Sequence, residues 1–372
     1  MNIEEKRKAI AKFKNEINKK YNSDMIMVAK DMKKTEFYPT GIPSIDTILG
    51  GGWAKGRLAS VYAENGAGKT SLCLQTIAYN QKINENFTAL WLDQENALDY
   101  DYAINNLGID ESRFDIIPSD EAEKNLDVIR SAVRNGLYNI VVIDSTNSLA
   151  PQVENEKDVN GNASIGVVAK LLSVLCRQLI GPMNKTDTTV IMIEQIREKV
   201  GVMTMPGLPT PISIGCGKAV SFYASQRLEI KAGKPIKEGT GDSEVVLGKE
   251  TKVKCIKNRF TKPFMKCTTC VAFGKGFDVD MDNQMFVINS GIVERVNKLK
   301  WKYVSLDGKE HEITGQKNVV PYLKENNLFD EALSRAKELK FNEKTIENSE
   351  EYVIDDAENI KINDIINDIN NE

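Results

Sequence analysis

The sequence predicts an α/β fold with a mostly parallel central sheet covered on both faces. Two observations carry this. Near-continuous apolar runs rich in β-branched residues recur between helical stretches, the pattern of strands buried on both faces. A Gly-rich turn, Ala63-Glu64-Asn65-Gly66-Ala67-Gly68-Lys69-Thr70, sits between one such run and a helix. A third observation, a change to strict alternation beyond residue 226, predicts antiparallel, half-exposed strands toward the end of the sheet.

Taken in order, Ile3, Ile10, Phe13 and Ile17 fall at helical spacing among Lys and Arg, which predicts an amphipathic helix over 1–20. That helix is too short to form a core alone, so it needs a surface to pack on. Met25 to Ala29 reads as a short strand and 30–34 as a linker. Turn residues flank a short helix over Ser44–Leu49, capped by Ser44 or Pro43. Leu58–Tyr62 is the first buried strand, and Ser71–Tyr79 the helix after the Gly-rich turn. Further strands are expected at Phe87–Asp93, Phe114–Ile117, Asn139–Asp144 and Thr188–Ile193. Helices are expected over Glu121–Gly136 and Ile165–Ile180, the second closed by Pro182. Arg227–Lys231 and Glu250–Lys257 alternate, with a charged connection from Gly233 to Gly248. A smaller α/β segment follows Gly276, and Glu331–Leu339 reads as helix.

Composition narrows the class. The chain has 372 residues, 41% of them hydrophobic and 27% charged, as in a globular protein of two or three domains. No apolar run approaches the ~18–20 residues of a membrane-spanning helix, and the start lacks the apolar stretch of a signal peptide. Six scattered cysteines without a framework pattern predict a reducing, cytoplasmic setting. Cys267 and Cys270 lack a second pair, which argues against a zinc site. Residues 1–20 carry seven Lys/Arg and three Glu, whereas 347–372 carry nine Asp/Glu and one Lys. That asymmetry fits either a polyanion binder with an internal competitor or two solvated termini. The acidic, Asn-rich tail is expected to be disordered.

The Gly-rich turn is the point where chemistry enters. Its glycines let backbone N–H groups face phosphate oxygens, and the following helix N-terminus adds partial positive charge. Lys69 is placed to reach β- and γ-phosphates, and the Thr70 hydroxyl to ligate Mg²⁺. The first glycine of the usual pattern is Ala63 here. Asp144, ending a buried strand, fits the carboxylate that orders the metal's water shell. Glu95, just past another strand end, fits a residue that orients or deprotonates water. Gln195 ends the fifth strand and heads a Gly/Pro-rich segment, 196–217, of a length that marks either a functional loop or a disordered one.

The order and content of these motifs resemble the bacterial RecA-type recombinases over about residues 1–340. The resemblance rests on Asp93-Gln94-Glu95-Asn96-Ala97-Leu98-Asp99, Val141-Val142-Ile143-Asp144-Ser145, and Gln195-Ile196-Arg197-Glu198-Lys199-Val200-Gly201-Val202-Met203. Phe222-Tyr223-Ala224-Ser225-Gln226-Arg227-Leu228 and Val253-Lys254-Cys255-Ile256-Lys257-Asn258-Arg259 extend it. It implies a P-loop NTPase core with a mostly parallel sheet over 36–277, an N-terminal helix-strand oligomerisation arm over 1–35, a small C-terminal α/β domain over 278–346, and the tail beyond. It implies Glu95 as catalytic glutamate and Asp144 as the second nucleotide-motif aspartate. Glu64, Asn65, Gly66, Ala67, Gly68, Lys69, Thr70 and Ser71 become the nucleotide cradle, with Asp99 and Tyr102 as adenine contacts. Gln195 becomes the nucleotide sensor, and Lys257 and Arg259 the cations that reach a neighbour's ATP. Phe222 resembles an interface residue.

The same resemblance implies two loops along single-stranded DNA, one from Glu154 to Gly166 and one from Gln195 to Gly217. The contacts would be Arg197, Lys199, Val200, Gly201, Val202, Met203, Gly215 and Gly217, by phosphate pairing and aliphatic insertion between bases. Met205–Pro211 is proline-rich, Glu194 replaces the usual Asn, and Ser221 stands where Lys is common. The implied activity is DNA-dependent ATP hydrolysis by a helical filament, with homologous pairing and strand exchange between single-stranded and duplex DNA. The implied cofactors are ATP and Mg²⁺, with no membrane partner. A hexameric DNA motor of helicase type and an ATP-gated DNA-binding scaffold share the nucleotide motifs and stand as alternatives.

Overall fold

The computed structural model describes residues 1–22, 25–119, 121–155, 166–198, 212–214, 218–238 and 244–342. In chain order the elements are α1 (Ile3–Tyr21), β1 (Phe37–Tyr38), α2 (Pro43–Leu49), β2 (Trp53–Ala54), β3 (Leu58–Ala63), α3 (Lys69–Ile83), β4 (Ala89–Asp93) and β5 (Phe114–Pro118). Next come α4 (Ala122–Asn135), β6 (Ile140–Asp144), α5 (Gln152–Asn155), α6 (Val167–Thr186), β7 (Thr189–Glu198), β8 (Ile212–Ile214) and α7 (Ala219–Tyr223). The chain continues through β9 (Gln226–Glu238), β10 (Val245–Asn258), β11 (Lys266–Ala272), β12 (Gly276–Phe277) and α8 (Val279–Asn289). It closes with β13 (Val293–Arg295), β14 (Lys300–Val304), β15 (Glu310–Thr314), α9 (Val319–Glu325) and α10 (Phe329–Asn342).

The main sheet runs β12-β11-β10-β9-β3-β7-β6-β4-β5, with β8 pairing to β7. From β9 to β5 the pairings are parallel, and from β9 to β12 antiparallel. The predicted apolar runs become strands buried along their length: all six residues of β3 and all five of β4 are buried. Alternate residues feed two cores. Val61, Val142 and Ile193 pack with α3 on one face, while Leu58, Val141 and Met192 pack with α4 and α6 on the other. A third core, around Val287, Tyr303 and Leu323, joins the sheet β13-β14-β15 to α8, α9 and α10.

The structure departs from the sequence reading in several places. Met25–Ala29 is no strand: a bend leads into a single 3₁₀ turn over Ala29–Asp31, because no strand among the described residues lies beside it to pair with. Neither Ser44 nor Pro43 caps α2: Ile42 is its N-cap, without a side-chain hydrogen bond, and Pro43 takes the first helical position, where a missing N–H costs nothing. Pro182 does not end α6, which continues to Thr186. Leu172, Leu175, Cys176, Leu179 and Met183 are buried on either side of the proline. That packing outweighs the ~3 kcal/mol a proline costs in a helix interior. Gln226–Ile230 of β9 are all buried, not alternately exposed, because β9 lies inside the sheet between β3 and β10. The strands β9 and β10 extend to Glu238 and from Val245, so the connection between them is shorter than 233–248. Gln195 lies inside β7, which runs on to Glu198 and pairs with β8, so part of the segment 196–217 is hairpin stem.

Candidate nucleotide site

Parallel strands bring their carboxyl ends to one edge, and the functional side chains collect there. Register alone sets Ala63 beside Gln195 and Asp93 beside Asp144. From β3 the chain turns through 64–68 into α3, with Gly66 at φ +67° and Gly68 at φ +102°. A Cβ added at Gly66 would meet nothing within 4 Å, so backbone conformation and not crowding demands glycine there.

Lys69 is buried in this turn. Its ammonium donates to the carbonyl oxygens of Ala63 at 3.1 Å and Glu64 at 2.9 Å. Burial lowers its pKa, and the carboxylates of Asp144 and Glu95 oppose that. Thr70 Oγ1 donates to Asp144 Oδ2 at 2.8 Å. Burial pushes the Asp144 carboxyl up to about 6, against the Thr70 hydrogen bond, while the negative charges of Glu95 and Asp93 push the same way as burial. A buried lysine whose ammonium is held by two backbone carbonyls, beside an aspartate whose carboxyl pKa burial has raised, leaves room for a stronger anionic acceptor. An anionic phosphate answers the lysine. The hard oxygens of Thr70 and Asp144 suit a small divalent cation.

Glu95 lies across from this pair. Its Oε1 accepts from Ser145 Oγ at 2.5 Å, Ser148 Oγ at 3.2 Å and Gln195 Nε2 at 2.5 Å. Asn147 bridges the same group, its side-chain oxygen accepting from Gln195 N and its amide donating to Gln195 O. One carboxylate therefore ties the ends of β4 and β6 to Gln195 within β7. Ser145, Ser148 and Asn147 were not singled out by role in the sequence. Their only signal is a polar run directly after a buried strand-end aspartate.

A cavity of about 410 Å³ opens beside the turn, lined by Gly66, Gly68, Lys69, Thr70, Tyr102 and Lys249 among others. Asp99 and Ser71 also line it. Asp99 Oδ1 accepts from Tyr102 N at 2.9 Å and Tyr102 OH donates to Ser71 Oγ at 3.2 Å, which fixes the ring at the cavity wall. Gln75 pins β12 against α3 with two hydrogen bonds to the Phe277 backbone. A larger cavity, about 800 Å³, lies between α2, α8 and the β10–β11 hairpin, and none of the predicted site residues lines it.

Other predicted residues are not brought to this site within the chain. Lys257 and Arg259 lie at the far end of β10 and line neither the cavity nor the turn. Lys257 Nζ donates to the carbonyls of Ser221 at 2.9 Å and Phe222 at 2.8 Å, and Arg259 is exposed. Phe222 is 69% exposed, its ring edge-on to Tyr223. Gly166 sits at the start of α6 with φ +93°. Arg197 has its backbone paired to Ser213 in the β7–β8 stem. Lys199, Val200, Gly201, Val202, Met203, Gly215 and Gly217 lie outside the described residues, as does the tail.

The sequence model of the family described as RecA N-terminal domain matches residues 8–278. Protein RecA of Thermotoga maritima is 35% identical over 328 residues, spanning 87% of this chain and 88% of that one. Protein RecA of Lactococcus lactis subsp. cremoris is 35% identical over 264 residues, 71% of this chain and 66% of that one. Among solved structures, a crystal structure of the RadB recombinase aligns with a TM-score of 0.47 at 22% identity, covering 65% of this chain and 98% of that one.

Proposed function

The chain belongs to the RecA family, and from that premise we propose how its own residues carry out the family's reaction. It is a DNA-dependent ATPase and recombinase that forms filaments on single-stranded DNA and pairs it with homologous duplex in recombinational repair. The helicase-type motor and the passive scaffold are not favoured. No helix among the described residues is long and apolar enough to cross a membrane.

The observation that carries the residue assignments is the convergence of Lys69, Thr70, Asp144, Glu95 and Gln195 at the carboxyl ends of neighbouring strands. Backbone amides of 64–71 hold the phosphates, and Lys69 exchanges its two carbonyl partners for them. Tyr102 stacks on the base and Asp99 receives its amine. Thr70 and Asp144 would hold Mg²⁺, which would supply charge neutralisation at the phosphate oxygens. Glu95 orients the attacking water and takes its proton. Gln195, already on Glu95, reports the γ-phosphate to the β7–β8 stem and so to the second DNA loop.

Lys257 and Arg259 act on the neighbouring subunit's nucleotide, a reading supported by their lying away from the chain's own cavity. Residues 1–35 form the oligomerisation arm; Ile3, Ile10 and Phe13 are each more than half exposed on α1, an apolar stripe left uncovered by the described residues of its own chain. We divide the remainder into an ATPase core over 36–277, a C-terminal domain over 278–346 and the tail beyond. The loops ending at Gly166 and spanning 195–217 take the single strand. Cys73, Cys176, Cys255, Cys267 and Cys270 are free thiols, which supports a reducing, cytoplasmic setting.

The test is ATP turnover with and without single-stranded DNA, paired with electron microscopy of the DNA complex. Stimulated turnover and helical filaments are expected. Unstimulated turnover, or closed rings, would overturn the reading.

A further inference from the structure

Lys249 was not among the residues that the sequence marked. Strand β10 places it opposite Val271 of β11, on the sheet face that packs against α3. From there its ammonium donates to the carbonyl of Gly66, inside the phosphate-binding turn, and it lines the cavity with Lys69, Thr70 and Tyr102. Among the described residues no carboxylate is paired with it, unlike Lys252, Lys231 or Lys237 nearby. A cation resting on one backbone carbonyl at the wall of an anion site is available to a stronger acceptor.

The same strand has a second end. Eight residues on, a register shift at Cys255/Lys257 interrupts the ladder, and the Lys257 side chain lies against α7, with its ammonium on the Ser221 and Phe222 carbonyls. At a strand rise of ~3.3 Å per residue, the two lysines are about 26 Å apart along one continuous strand. Between them Lys249–Lys254 is paired to β11, while β9 pairs along the strand to Asn258 with register shifts at Lys249/Thr251 and Cys255/Lys257, so the two lysines sit at the two irregular ends of one paired segment.

We propose that Lys249 binds a phosphate of the nucleotide in its own subunit, and that β10 thereby links this nucleotide to Lys257 and the face presented to the next subunit's nucleotide. The proposal rests on the assignment of Lys257 made above. Each subunit then reads its own site at one end of β10 and completes its neighbour's at the other. Occupancy of one site biases the position of the cations at the next, which makes the ATP response cooperative along a filament.

The experiment compares wild type with Lys249→Gln and Lys249→Arg. Affinity for a fluorescent ADP analogue is measured without DNA, and the Hill coefficient of ATP hydrolysis with DNA. A lost charge-assisted hydrogen bond to phosphate weakens Lys249→Gln by about tenfold. The deficit shrinks as salt is raised, and Lys249→Arg restores most of the affinity. The Hill coefficient of Lys249→Gln falls toward one. Wild-type affinity in a folded Lys249→Gln protein overturns the binding role, and an unchanged Hill coefficient despite weakened binding overturns the link through β10. If wild type itself shows no DNA-stimulated hydrolysis, the functional reading fails instead, while the DNA-free affinities still decide whether Lys249 binds.

Discussion

Replacing Glu95 by Gln isolates the chemical step from binding. The carboxylate accepts hydrogen bonds from Ser145, Ser148 and Gln195, and its side chain is exposed. An amide of the same shape keeps one acceptor oxygen, and the two serine hydroxyls can rotate to accept from its N–H group. The structural cost at an exposed site of this kind is within about 1 kcal/mol. The catalytic cost is larger. A positioned general base contributes about 10²- to 10⁴-fold, so turnover falls by at least ~100-fold, or about 2.7 kcal/mol in the barrier. Nucleotide affinity changes little, because Glu95 does not line the phosphate cavity. The assay is steady-state ATP hydrolysis on single-stranded DNA alongside equilibrium binding of a fluorescent nucleotide. Turnover within about threefold of wild type, with binding intact, would refute Glu95 as the base.

Two further predictions concern the scaffold under the site. Asp46, fully buried and accepting from Thr40 N at 2.7 Å, has its carboxyl pushed up to about 7, burial being the main cause. A carboxyl with a raised folded pKa makes the folded state bind the proton more tightly, so stability rises as pH falls from 8 through 7 toward 6. Asp46 alone supplies about 1.4 kcal/mol of that rise, and Asp46→Asn removes its share, read as the difference in urea midpoints at pH 8 and pH 6. Gly52 has φ +123°, and a Cβ there would lie 2.2 Å from the Tyr38 carbonyl oxygen. Gly52→Ala therefore destabilises by about 3 kcal/mol or more, seen as a lowered thermal midpoint.

Much of this was legible in the sequence because the physics was local. A strand buried on both faces must be a near-continuous apolar run, as Leu58–Tyr62 and Ile140–Ile143 are. A phosphate turn needs glycine at positive φ, as at Gly66 and Gly68. What stayed hidden depended on partners. Pro182 is a helix terminator by its own chemistry and an interior residue only because α6 is clamped on the sheet. Met25–Ala29 has strand composition but no neighbouring strand to complete it. Arg227 and Glu229 alternate with apolar residues, yet both are buried: Arg227 Nη2 meets Glu194 Oε1 at 3.1 Å and Arg227 Nε donates to Ser60 at 3.0 Å, pairings that alternation cannot reveal. Lys249 is one of many lysines until β10 aims it at Gly66.

The central claim is that the nucleotide site is shared between subunits, and mixing two inactive variants tests it most directly. Lys69→Ala loses its own phosphate ligand but keeps Lys257 and Arg259. The double variant Lys257→Ala/Arg259→Ala keeps its own nucleotide site but supplies no cations to a neighbour. In a random one-to-one filament, about a quarter of the interfaces pair an intact nucleotide site with intact cations. ATP hydrolysis on single-stranded DNA should reappear in the mixture at that order of the wild-type rate. A mixture as inactive as its separate components would contradict the shared site.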